Sequence, residues 1–161
     1  MGEFSYTETD GHVLTVTLNR PERMNALHSP AHFELDKVFN DFEADPDLWV
    51  CILTGAGDRA FSAGNDLKFQ AEGGTRDKPK SGFGGITERF DRTKPMIAAV
   101  NGVAMGGGFE LALACDVIIG AENARFALPE PRVGLAALAG GLHRLPRAIP
   151  QKKAMGMILT G

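Results

Sequence analysis

Cysteine, tryptophan and tyrosine are scarce in this chain, with two, one and one among 161 residues. Cys51 lies in an apolar, strand-like run and Cys115 at the end of an apolar helical run. That spacing fits neither a disulfide framework nor a zinc ligand set, so both read as buried thiols. The four histidines, His12, His28, His32 and His143, show no HExxH or similar pattern, which argues against metal catalysis. No apolar stretch approaches the roughly 20 residues of a membrane span. Charge of one sign is also lacking: the formal net charge is −3, with acids and bases interspersed. That balance argues against a nucleic-acid surface while leaving room for a local phosphate site, so the expected partners are small molecules. The opening MGEFSYTETDGH has neither a basic nor an apolar region, so no signal peptide is expected and a cytoplasmic location is the default. With 43% apolar and 23% charged residues, the chain has the composition of a single globular domain over residues 1–161.

Short apolar runs alternate with turn signals and helical faces. Tyr6 to Thr9 and Val13 to Leu18, flanking Asp10-Gly11, predict an antiparallel hairpin. Ser29 as N-cap and Pro30 as first helical residue open an amphipathic helix whose apolar face is Ala31, Leu35, Val38, Phe39 and Phe42, ending at Asp45-Pro46. Trp49 to Thr54 reads as a buried strand, followed by a turn at Gly55-Ala56-Gly57-Asp58. The glycine-rich, charged stretch QAEGGTRDKPKSGFGG, residues 70–85, reads as a mobile loop, and residues 83–92 are open to a helix before Lys94-Pro95. Met96 to Val100 predicts a buried strand, Asn101-Gly102 a turn, Val117 to Ile119 a short strand and Gln151 to Thr160 a helix.

The most informative stretch is KPMIAAVNGVAMGGGFELALACDVIIGAENARFALPE, residues 94–130. Gly106-Gly107-Gly108 marks a close approach of backbone, and the helix that follows leaves unpaired N–H groups at those glycines. Such donors suit a developing oxyanion. Glu110 lies about one turn along the same helix, and Glu130 is held between Pro129 and Pro131, whose rings restrict the backbone. Two carboxylates beside an oxyanion site suggest proton transfer next to a carbonyl. Taken singly, each has a plainer reading: helix–sheet packing for the glycines, a solvated helix face for Glu110, and a loop salt bridge for Glu130.

Five blocks then decide between these readings: LNRPERMNAL at 18–27, FSAGNDLK at 61–68, KPMIAAVNGVAMGGGFELALACD at 94–116, FALPEPRVGL at 126–135 and HRLPR at 143–147. In order and spacing the chain resembles the crotonase, or enoyl-CoA hydratase/isomerase, superfamily. Within it, GNDLK, AEGG at 71–74, GGFELALA and ENARFALPE look most like the carnitinyl-CoA dehydratase (crotonobetainyl-CoA hydratase) branch. The resemblance implies an α/β fold, a ββα spiral with two sheets at a steep angle. It also implies that the chain is truncated, lacking C-terminal helices that in the family help to build the acyl pocket and a trimeric or hexameric assembly.

By the same resemblance, the N–H groups of Gly107 and Asn65 hold the thioester oxygen, Glu110 activates water and Glu130 protonates the α-carbon. Lys68 and Arg23 match basic contacts to coenzyme A, and the backbone around Met24 and Ala26 borders its adenine and pantetheine. Asp66 holds the oxyanion loop. The substrate is an acyl-CoA thioester, with no separate cofactor and no metal. The expected activity is hydration of an enoyl-CoA or the reverse dehydration; double-bond isomerisation and a catalytically inactive CoA-binding fragment are the alternatives. Phe69 and Phe83 are candidates for an aromatic cage around a trimethylammonium group. Leu138-Ala139-Gly140-Gly141 departs from the PGxGG element common among family hydratases. Two other signals fail for want of context. GAGDRA at 55–60 is followed by FSAGND and not by a helix, as a dinucleotide fingerprint requires. Ser62 lacks the first glycine of a nucleophile elbow, and nothing near it in the sequence would serve as its base.

Overall fold

The computed structural model describes residues 2–161. Strand–strand–helix units follow one another: β1 (Ser5–Asp10), β2 (Val13–Leu18) and α1 (Ser29–Ala44); β3 (Val50–Gly55), β4 (Ala60–Ser62) and α2 (Leu67–Ala71); β5 (Met96–Val100), β6 (Val103–Met105) and α3 (Gly107–Ala114); β7 (Val117–Gly120), β8 (Arg125–Ala127) and α4 (Gly141–Ala148); α5 (Gln151–Thr160) follows. From the second unit onward, the first strand enters a five-stranded sheet of order β1-β2-β3-β5-β7 and the second enters a three-stranded sheet, β4-β6-β8. The β1–β2 hairpin is antiparallel and every other pairing is parallel. The expected α/β architecture with two sheets is what forms.

Register explains the core. Leu14 pairs with Cys51 and Cys51 with Met96, while Val16 pairs with Leu53 and Leu53 with Ala98. With a side-chain period of two, these rows share one face of the large sheet, and all six residues are buried. Leu35, Phe39 and Phe42 of α1 and Leu111 of α3 belong to the same cluster. Helix α3 is buried from Gly108 to its end, which is why its sequence is apolar all round apart from Glu110.

Several sequence expectations are corrected. His28, in extended backbone, occupies the N-cap position of α1, so Ser29 is the first helical residue and provides no side-chain cap; Pro30 sits in the first turn as expected. Trp49 precedes β3, is 57% exposed, and stacks on His12 with ring centroids 3.6 Å apart. The stretch 70–85 is not a loop throughout. Phe83, Gly84 and Gly85 are buried in a single 3-10 turn, and no helix spans 83–92. Gly84 and Gly85 have φ of 58° and 73°, and a Cβ on Gly85 would lie 2.6 Å from the backbone N of Asp36. Here glycine served close packing on α1, where composition alone suggested mobility. Strands β4, β6 and β8, of three residues each, are too short for a periodic signal. No described helix is long and apolar enough to cross a membrane.

The two sheets meet α3 through backbone contact. A Cβ on Gly108 would lie 2.0 Å from the carbonyl oxygen of Ser62 in β4, and one on Gly64 would lie 2.7 Å from the carbonyl oxygen of Met105 in β6. Neither neighbour can swing aside as a side-chain tip can. Gly108→Ala is therefore expected to cost about 3 kcal/mol or more in chemical denaturation, whereas Gly156→Ala, with open space around it, stays within ~1 kcal/mol of the parent.

Candidate active site

The loop between β4 and α2 and the start of α3 form the floor of a cleft of about 350 Å³ lined by Asn65, Gly106, Gly107, Glu130 and Leu135 among others. Leu27 and Asn65 form an isolated parallel bridge, in which the Leu27 N–H donates to the Gly64 carbonyl and the Asp66 N–H to the Leu27 carbonyl. In that pattern the N–H of Asn65 points away from residue 27. The N–H groups of Asn65 and Gly107 have no hydrogen-bond partner among the described residues. The Gly64 Cβ position lies 2.9 Å from the Gly107 nitrogen, so the two loops abut. Two unpaired donors thus border one cleft beside a helix start, a site electrostatically suited to a developing oxyanion.

The loop carrying Asn65 is held from behind. Asp66 caps α2 by accepting from the Phe69 N–H at 3.0 Å and pairs with Arg20 at 2.9 Å. Burial opposes ionisation of Asp66, but the Phe69 N–H and the Arg20 guanidinium outweigh it and hold its carboxyl below the usual range. Ser62, set aside as a nucleophile, is fully buried. Its hydroxyl donates to the Asn25 carbonyl at 2.8 Å and accepts from the Gly64 N–H at 3.1 Å.

Glu110 is 3% exposed. Its Oε1 accepts a 2.9 Å hydrogen bond from the Gly141 N–H, so the segment that departs from the family pattern provides the ligand that orients this carboxylate. Burial pushes Glu110 up to about 7; the Gly141 N–H opposes the shift and the charge of Glu130 adds to it. Glu130 opens a 3-10 turn, Glu130–Val133, and its Oε1 lies 2.9 Å from the Cβ position of Gly106. Its Oε2 is buried without a partner among the described residues, and burial raises its pKa as well. Two carboxyls with raised pKa, beside two free donors, can carry out one proton removal and one proton delivery next to a polarised carbonyl. A second, apolar cleft of about 250 Å³, lined by Leu128, Ala137, Leu142 and Ile158 among others, shares Glu130 and Leu135 with the first. Two larger clefts, of about 660 and 560 Å³, touch none of these groups.

None of the remaining sequence candidates lines the cleft shared by Asn65 and Gly107. Lys68 is exposed on α2; its carbonyl accepts from the Glu72 N–H, and its side chain makes no ion pair or hydrogen bond to another described residue. Arg23 ends a 3-10 turn, Pro21–Arg23, and Met24 follows it at φ 54°. Ala26 is buried, its N–H donating to the Arg23 carbonyl and its carbonyl accepting from Arg20. The proposed aromatic cage does not form. Phe83 packs on His32 and against Gly107, whose Cβ position is 2.6 Å from the Phe83 ring, while Phe69 meets His28 edge-on. No cluster of three or more potential metal ligands occurs among the described residues.

Residues 8–161 match the family model described as enoyl-CoA hydratase/isomerase. The chain belongs to the enoyl-CoA hydratase/isomerase family. It is 48% identical over 163 residues to the carnitinyl-CoA dehydratase of Escherichia coli K12, covering all of this chain and 62% of that protein. Its structure is similar to that of a carnitinyl-CoA dehydratase from Mycobacterium avium 104, with TM-score 0.94 and 42% identity over 99% of this chain and 63% of the other. It is also similar to an enoyl-CoA hydratase from Mycobacterium tuberculosis H37Rv, with TM-score 0.92 and 42% identity over 99% and 62% of the two chains. The chain thus spans a little under two thirds of the length of these relatives. The crotonase resemblance carried by the five sequence blocks is borne out. Sequence reading missed Gly141 as the partner of Glu110 and Phe83 as the wall over Gly107; the glycines of those two segments were the available signals.

The raised pKa of Glu110 has a consequence for stability. Folding favours its protonated form, so the folded state is penalised as pH rises from about 4.5, the ordinary value for a glutamate, through about 7. Glu110→Gln keeps an oxygen for the Gly141 N–H and removes the charge. In urea denaturation this variant should exceed the parent in stability by up to about 3 kcal/mol at pH 8.5, with the gap closing towards pH 4.5.

Proposed function

We propose that this site adds water across the double bond of a 2-enoyl-CoA thioester, or removes it in the reverse direction. Glu110 takes a proton from the water that attacks the β-carbon. The electron pair moves onto the thioester oxygen, which accepts hydrogen bonds from the Gly107 and Asn65 N–H groups. Glu130 then protonates the α-carbon as the enolate collapses, and the two glutamates exchange protons with solvent to reset. Each oxyanion donor is worth roughly 3 to 4 kcal/mol of barrier. Lys68 and Arg23 face the coenzyme A phosphates, and the backbone at Met24 and Ala26 borders the nucleotide and pantetheine. Coenzyme A arrives as part of the substrate, with no further cofactor and no metal in the scheme.

The observation that carries this reading is the convergence of the unpaired Asn65 and Gly107 N–H groups with Glu130 on one cleft, next to a buried Glu110 whose charge is coupled to Glu130. The adjoining apolar cleft supports an acyl subsite. The names of the relatives add carnitine-type thioesters to the substrates to be tried, and assembly of the whole protein into trimers or hexamers belongs to the same reading.

Loss of the enoyl-thioester absorbance with crotonyl-CoA is the direct test. Glu110→Gln and Glu130→Gln should each lower kcat by about 10² to 10⁴ while the far-UV spectrum stays native. Full activity in Glu110→Gln would remove that residue from the mechanism. In the hydration direction kcat/KM should climb as pH rises through about 7, where Glu110 ionises. Oxygen from isotopically labelled water should enter the product; its absence, with the double bond displaced, would mean isomerisation. Tighter binding of the crotonobetainyl than the crotonyl thioester would assign the carnitine-type substrate, and equal affinity would count against it.

A further inference from the structure

Arg144, on α4, stands between two segments that meet at the site. Its Nη2 donates to the Thr87 carbonyl at 2.8 Å, and its Nη1 reaches the Ala139 carbonyl at 3.4 Å. The guanidinium lies against Gly140, where φ is 114° and a Cβ would sit 1.9 Å from Nη1. No carboxylate lies within 4 Å of it among the described residues, so this partly buried cation is held by carbonyls and not by an ion pair.

Each segment it touches ends on a reacting group. On one side, Gly141 follows Gly140 and donates its N–H to Glu110 Oε1. A Cβ on Gly141 would stand 3.1 Å from that oxygen, so glycine is what lets the carboxylate approach the backbone. On the other side, the Thr87 hydroxyl accepts from the Phe83 N–H at 2.8 Å, the Gly84 N–H donates to Nδ1 of His32 at 3.1 Å, and the Phe83 ring stands against Gly107. A planar fork with donors on two nitrogens holds two carbonyls in a fixed relative geometry, whereas an ammonium on a flexible stem offers rotatable donors and fixes that geometry less well.

We infer that Arg144 is a positioning residue: it ties the turn carrying Phe83, the wall over the Gly107 oxyanion donor, to the loop whose Gly141 N–H aims the Glu110 carboxylate. Its kinetic consequence rests on the hydration reading above; its structural consequence does not. Glu110 faces Glu130 from the 3-10 turn and Arg144 from α4, so removing the Arg144 charge leaves Glu110 opposite a like charge alone.

The test compares Arg144→Gln and Arg144→Lys with the parent, first without substrate. Carbon-13 NMR of the Glu110 carboxyl and hydrogen exchange at the Gly141 amide read the positioning directly. In Arg144→Gln the Glu110 midpoint should rise above its native value of about 7, and exchange at Gly141 should quicken by roughly tenfold or more. With enoyl thioester, kcat should fall by about 10- to 100-fold while KM moves by less than about threefold. Arg144→Lys keeps the charge and one hydrogen bond, so its Glu110 midpoint should stay near native while Gly141 exchange and kcat move part of the way; it decides the matter if Arg144→Gln does not fold. A folded variant with native Gly141 exchange and a native Glu110 titration would overturn the inference. If the parent shows no turnover but the NMR signatures move as stated, the hydration reading fails and the positioning role stands.

Discussion

The structure depends on backbone touching backbone where α3 leaves β6. Gly108 against the Ser62 carbonyl and Gly64 against Met105 and Gly107 bring the β4 loop and the helix start closer than any side chain would permit. That approach does two things at once. It lets the second strands of successive units pair in the small sheet, and it sets the Asn65 and Gly107 N–H groups on the same cleft without consuming either of them. Glycine here carries an entropic cost in the unfolded chain, offset by packing that buries α3 almost completely.

Around that contact, most polar groups serve geometry and few are left for chemistry. Asp66, Arg20 and Ser62 commit hydrogen bonds to the loop bearing Asn65, and the Asn25 carbonyl accepts from the Ser62 hydroxyl behind it. Asn25 also adopts φ 53°, uncommon for a residue other than glycine, while its side chain donates to the Ala56 and Ala60 carbonyls. A loop fixed in this way loses little freedom when its N–H meets a ligand, which is the condition under which a donor favours a transition state over water.

How much of this was legible in the sequence varied with the physical signal involved. The hairpin, α1, β3, β5 and α3 announced themselves through turn dipeptides, periodic apolar faces and apolar runs. Glu110, Glu130, Gly107 and Asn65 could be named because the ordered blocks placed them in a family pattern; spacing alone left each with a plainer reading. Phe83 to Gly85 was misread because glycine and charge in one stretch look like mobility, and only the partner surface, α1 and Leu111, shows that the glycines permit contact. Gly141 lay in the segment that departed from the expected pattern, so its hydrogen bond to Glu110 was invisible until the loop and the helix were seen together. Trp49 shows the converse error: its apolar character joined it to a strand run, yet the alternation that buries β3 begins at Val50, and the indole found His12 instead.

The two carboxyls show why such a centre needs the rest of the fold. Burying Glu110 raises its pKa and costs stability whenever it is ionised, and the Gly141 N–H, the backbone at Ala139 and the charge of Arg144 act in the opposite direction. A carboxylate replaced by a well-packed apolar side chain would spare the fold that cost. Its position on a helix otherwise apolar throughout is therefore a local conflict between stability and placement, of the kind expected where a site is built and not where a core is packed. Glu130, which lines both clefts and has one buried oxygen without a partner among the described residues, carries the same conflict. The fold accepts two destabilising groups at one site: burial raises the pKa of both, and the charge of Glu130 raises that of Glu110 further, so that one can hold a proton while the other gives it up.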